Sequence, residues 1–223
     1  ATLNEIREVH QRAGRDVVFQ IEAPVEQVFV ARMPPPLRPL MAMLMAGGIT
    51  DLVARAPAGA RFGIHLCVGD MNHKSLIRMT DAGPIVRLAN AIARRWPTAV
   101  SPLEYIHVPF SAAGVAPPSD AGWYRALNKL QLPDHVRLVA GFAHPGQALN
   151  EQRAIRDRIE RLSRRTVDIS TTCGPGRSSP DDAKAALHRI AELTALTGHT
   201  PCPSICSMRR CTASWKYPDS SAQ

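Results

Sequence analysis

Arg61-Phe62-Gly63-Ile64-His65-Leu66-Cys67 is an apolar run whose end carries two groups able to bind metal. His65 and Cys67 stand two apart, so an extended backbone turns both side chains to the same face, where one ion can take both. Four further runs have the same character: Asp16 to Glu22, Leu103 to Val108, Val136 to Phe142, and Thr166 to Ser170. Helical patterns lie around and between them, at about 1–13, 36–56, 82–95, 122–130, 147–164 and 180–197. Strand followed by helix, repeated, predicts an α/β fold of parallel strands joined by crossover helices.

Two of the helices are sharply delimited. Ser179-Pro180-Asp181-Asp182 supplies a cap, a first-turn proline and two early acids, and Gly198 ends a stripe of Leu187, Ile190, Leu193 and Leu196. In the other, Leu149, Ile155, Ile159 and Leu162 form a core face. Arg153, Arg156, Arg158, Arg161 and Arg164 fall mostly off that face and read as a solvated outer surface.

The chain has 223 residues, 45% hydrophobic and 21% charged, which suffices for one sizeable core. No unbroken apolar run approaches the ~18 residues of a membrane span, and the N-terminus lacks a signal-peptide pattern. The expectation is a soluble, cytoplasmic chain with no membrane partner. A net charge of +8 invites a nucleic-acid partner, but three Tyr, three Trp and five Phe are few for base stacking, and the arginines are scattered over several helices. No nucleic acid is therefore expected. The five cysteines form no dense framework, so Cys67 and Cys173 are read as reduced thiols.

The polar residues fall in a pattern. Each strand run ends in a group capable of chemistry: Glu22, then His65 with Cys67, then His107, His144 and Cys173. In an α/β barrel the strand C-termini converge on one face, and ligands sit there.

These residues resemble the C-terminal, catalytic barrel of cobalamin-independent methionine synthase and the wider set related to it and to uroporphyrinogen decarboxylase. His65-Leu66-Cys67 looks like that family's His-x-Cys zinc pair, and Thr172-Cys173-Gly174-Pro175-Gly176-Arg177 like its last ligand and glycine-rich turn. Gln20-Ile21-Glu22-Ala23-Pro24 resembles the strand whose acid holds the substrate amino group, and Phe142-Ala143-His144 the one carrying a proton-donating histidine. The family glutamate ligand lines up with His107, while Glu104 is three positions away and on the opposite strand face. Zinc accepts imidazole as readily as carboxylate, so the resemblance implies a Zn2+ set of His65, Cys67, His107 and Cys173.

The likeness covers residues 1–198 and the last five strand-helix units, whereas a full (β/α)8 TIM barrel needs about 250 residues. An incomplete TIM-barrel type fold follows, with open sheet edges through which chains can self-associate. Residues 199–223, with Cys202, Cys206 and Cys211 among Pro, Ser and Arg, read as a disordered or foreign tail. After the ligand pair, Asp70, Asn72 and His73 either line the mouth of the site, with Asp70 and Asn72 on the substrate, or orient His65 from behind, or form a plain polar loop.

The implied activity is transfer of a methyl group from a methylated folate-type donor to a small-molecule thiol such as homocysteine, with zinc activating the thiol, Glu22 holding its ammonium and His144 protonating the leaving nitrogen. A metal-free decarboxylase-like barrel would instead need a cluster of arginines at the strand ends, where only Arg177 is found. A non-catalytic remnant of the family is the third reading.

Overall fold

The computed structural model describes residues 2–71, 74–112, 114–174 and 178–195. The apolar runs become strands β1 (Val18–Glu22), β2 (Arg61–His65), β5 (Leu103–Pro109), β6 (Arg137–Ala143) and β7 (Val167–Thr171), all parallel in the order β1-β2-β5-β6-β7. A short antiparallel pair, β3 (Asp70–Met71) and β4 (Lys74–Ser75), follows the site end of β2.

The helices are α1 (Thr2–Ala13), α2 (Pro24–Arg32), α3 (Arg38–Ala54), α4 (Gly83–Arg95), α5 (Leu149–Ser163) and α6 (Pro180–Ala195). Gly122–Lys129 winds as a 3-10 helix rather than the expected α-helix. Helix α2 was not legible as a separate element: only Gln27 and Val30 are buried in its nine residues, too few to print a stripe. Ser179 caps α6 as its sequence predicts. Its Oγ accepts from the Asp182 N–H at 3.1 Å and donates to the Asp182 carboxylate at 2.7 Å, closing a reciprocal cap.

The strand order runs one way without reversal. Right-handed crossovers then deliver every helix to the same side of the sheet, whereas a reversal would be needed to cover both. Successive helices accordingly pack on one another in a row: α3 on α4, α4 on the 3-10 helix, that helix on α5, and α5 on α6. Against this layer the sheet buries Phe62, Ile64, Ile106, Leu138, Ala140 and Phe142, each at most 1% exposed. Among the described residues this is an arrangement compatible with part of a barrel wall, with β1 and β7 at its two borders.

The opposite face is polar. Toward the strand starts, the Tyr105 hydroxyl donates to Gln20 at 2.8 Å, the Arg137 guanidinium lies 6.0 Å over the Tyr105 ring, and Arg137 pairs with Asp168 at 2.9 Å. Nearer the strand ends stand Glu22, His65 and His107 in register.

On the helix side, α3 buries Ala42, Ala46, Ile49 and Val53 but exposes Leu40, Met43 and Leu44, beside exposed Val25 and Phe29 of α2. The stretch Pro35–Ala54 has the length and apolarity of a membrane-crossing helix, with 28% of its most apolar 18-residue window buried. That match is by length and composition only.

Candidate metal centre

His65 closes β2, and its neighbour Leu66 continues the ladder by donating its backbone N–H to the His107 carbonyl at 3.0 Å. That extra bond keeps the chain extended through Cys67, so the two-residue period carries the thiol to the same side as the imidazole. Cys173 arrives two residues past β7, on the far side of β5 and β6. The ligand atoms of His65, Cys67 and Cys173 all lie within 4.8 Å of one another.

His65 is 2% exposed, and neither Nδ1 nor Nε2 has a hydrogen-bond partner. Buried polar nitrogens are almost always satisfied, and each one left bare costs about 1–3 kcal/mol. The Glu22 carboxylate stands 3.7 Å from Nε2, beyond hydrogen-bond reach. One bare imidazole nitrogen beside two cysteine sulfurs is the chemistry of a soft divalent cation site.

His107, expected as a fourth ligand, stands outside that set. Its Nε2 lies 3.1 Å from the Thr171 carbonyl, and because a carbonyl can only accept, the proton sits on Nε2. Its ring packs on His65 with centroids 4.4 Å apart. Burial, and secondarily the neighbouring His65, pushes its pKa down to about 3 despite the Thr171 bond, so the ring is neutral at pH 7.

Glu104, the other residue weighed for that role, lies at the opposite end of β5. Its carboxylate accepts from Arg61 Nε at 2.7 Å, and that hydrogen bond, outweighing burial, holds its pKa below the usual carboxylate range. Glu22 projects from the end of β1, where Gln20 donates to its Oε1 at 2.6 Å. His144 follows β6 on the same rim, outside the three-residue cluster. It is half-buried, and its Nδ1 accepts from the Gly146 N–H at 3.1 Å. Burial, then the positive charge of Arg189, lowers its pKa. The Asp70 side chain, Asn72, His73, Arg177 and the segment 199–223 lie outside the described residues.

The sequence reading missed Gly141. A Cβ there would meet His107 Nε2 at 2.6 Å and the Thr171 carbonyl at 2.7 Å, so only glycine lets the imidazole lie along the sheet and reach β7. A glycine mid-strand is the signal for such close approach. Gly141→Ala should therefore cost about 2–4 kcal/mol, the sum of overpacking and a strained buried hydrogen bond. Gly48→Ala, in α3 with nothing within 4 Å of the new methyl, should instead stabilise by about 0.5–1 kcal/mol. Urea unfolding of the two variants checks both signs.

No family model, curated protein or solved structure matches the chain.

Proposed function

We propose that the chain is a zinc-dependent methyltransferase of the methionine synthase type, moving a methyl group from a methylated folate-type donor to a small thiol such as homocysteine, on a partial TIM-barrel wall. The observation that carries this reading is the gathering of His65, Cys67 and Cys173 around the bare nitrogens of a buried imidazole. The residues present fit zinc: one nitrogen and two sulfurs are a common donor set for that ion, and three protein ligands leave a fourth position for substrate. A zinc ion held there supplies the charge that keeps a substrate thiol, ordinarily with a pKa of about 8.5, deprotonated at neutral pH.

The chain's own residues supply the rest. Glu22, fixed by Gln20 through Oε1, keeps Oε2 directed toward His65 and so offers a carboxylate to the ammonium of an amino-acid thiol beside the centre. His144 stays neutral near pH 7 with its proton on Nε2, because Nδ1 already accepts from Gly146. Being neutral, it donates a hydrogen bond to the leaving nitrogen rather than giving up its own proton, and the proton that nitrogen finally takes balances the one the thiol loses on ionising, exchanged through solvent. His107 takes no proton; its bond to Thr171 ties β5 to β7 and holds the ring against His65.

The test is methionine formation from 5-methyltetrahydrofolate and homocysteine by reduced, zinc-supplied protein. Glu22→Gln should raise KM for homocysteine about tenfold or more, with a smaller change in kcat, since a charge-assisted contact made equally in the ground and transition states is lost. Folded, zinc-replete protein that transfers no methyl group to homocysteine or to other small thiols would overturn the reading.

A further inference from the structure

A cavity of about 670 Å³ opens on the same rim, between the ends of β2 and β5. It touches the metal cluster at two points. Val68, in its wall, follows Cys67 in the chain. Ser111, also in its wall, shares a 2.9 Å hydroxyl hydrogen bond with Thr172, the residue before Cys173. Its volume lies within the roughly 300–1,000 Å³ range of small-molecule sites.

The lining sorts by chemistry. Val68, Met79, Phe110, Val115 and Trp123 make an apolar body. Phe110 and Trp123 are set edge to face at 6.0 Å, and the Trp123 indole N–H donates to the Met79 carbonyl at 3.4 Å, so this wall is rigid. Among the described lining residues Arg78 is the only charged one. Arg78, Met79 and Thr80 also wall a second cleft, of about 360 Å³, into which Arg32 and Arg38 face. Of these arginines only Arg78 lines both spaces, and no carboxylate lines either among the described residues.

We propose that this cavity binds an apolar, aryl- or alkyl-bodied molecule carrying one anionic group, the body against Met79, Val115 and the edge of Trp123 and the anion on Arg78. That binding does not depend on the metal-centre reading. The selectivity follows from the lining: an apolar pocket with a single cation rejects both a polyanion, whose further charges would be desolvated unpaired, and a neutral body, which leaves Arg78 unused.

The probes are 4-phenylbutyrate and 4-phenylbutan-1-ol, titrated into the full chain by calorimetry with and without zinc. The carboxylate should bind about tenfold more tightly than the alcohol. Arg78→Met should erase that preference by weakening the carboxylate alone, and Val115→Trp, at a 58% exposed position where a larger side chain fits the fold, should weaken both. Equal binding of the two probes, no binding by folded protein, or a preference that survives Arg78→Met would each overturn the proposal. Neither probe carries a thiol, so the titrations stand or fall separately from zinc content and methyl transfer.

Discussion

Reduced protein supplied with zinc should retain about one equivalent per chain, and Cys173→Ser should lose it under the same dialysis. The geometry sets the expectation. Tetrahedral zinc with bonds of about 2.0–2.3 Å holds its ligand atoms about 3.3–3.8 Å apart, so a triad already within 4.8 Å needs at most about 1 Å of side-chain closure. Losing an outer partner of a metal ligand commonly costs 10–100-fold in affinity; losing one of three direct ligands should cost more than about 100-fold. Binding to the folded chain alone also stabilises it, by about 4 kcal/mol when zinc stands a thousandfold above its dissociation constant. Elemental analysis beside thermal unfolding, on wild type, Cys67→Ser and Cys173→Ser, reads both effects. A zinc-free wild type under reducing conditions, or equal retention by Cys173→Ser, sinks the centre.

Acid should unfold the metal-free protein earlier than its carboxylates alone explain. In the unfolded chain an imidazole titrates near ~6.5, whereas burial, reinforced by His65, pushes His107 down to about 3 in the fold. Between those values the unfolded state binds more protons, so the stabilising contribution is fully present above ~6.5 and is lost as pH falls. The limiting slope is about 1.4 kcal/mol per pH unit for this one group. His144, lowered by burial and Arg189, adds in the same direction. Glu104, lowered by its Arg61 hydrogen bond, contributes stability that is present above the usual carboxylate range and lost only at lower pH, so the window from 6.5 to about 5 isolates the imidazoles. Urea unfolding across that window should show falling stability, and His107→Asn, which keeps a donor for Thr171, should flatten the slope. A stability profile level from pH 7 to 5, or one unchanged by His107→Asn, defeats the prediction.

Local chemistry made much of the frame readable. Runs such as Val18 to Glu22 and Arg137 to Ala143 are short, apolar and bounded by breaks, which favours strands over helices of ten residues or more. The cap at Ser179 is a four-residue pattern and was correspondingly clear. Helix α2 was not, since its nine residues bury only two side chains and its proline start reads as a loop. The strand-like pair at Asp70–Met71 and Lys74–Ser75 is too brief to print a period.

The sequence by itself determined the alternation of strand and helix, the strand ends at which polar groups appear, and the shared face of His65 with Cys67, because each depends on neighbours within a few residues. Tertiary structure alone decided which distant groups meet. Pairing across β2, β5, β6 and β7, including register shifts between Phe62 and Gly63 and between Gly141 and Ala143, brings Cys173 to His65. The same pairing gives the His107 proton to a carbonyl of β7 rather than leaving that nitrogen for an ion. Strand register is a collective outcome of side-chain packing over the whole sheet, and no single segment encodes it.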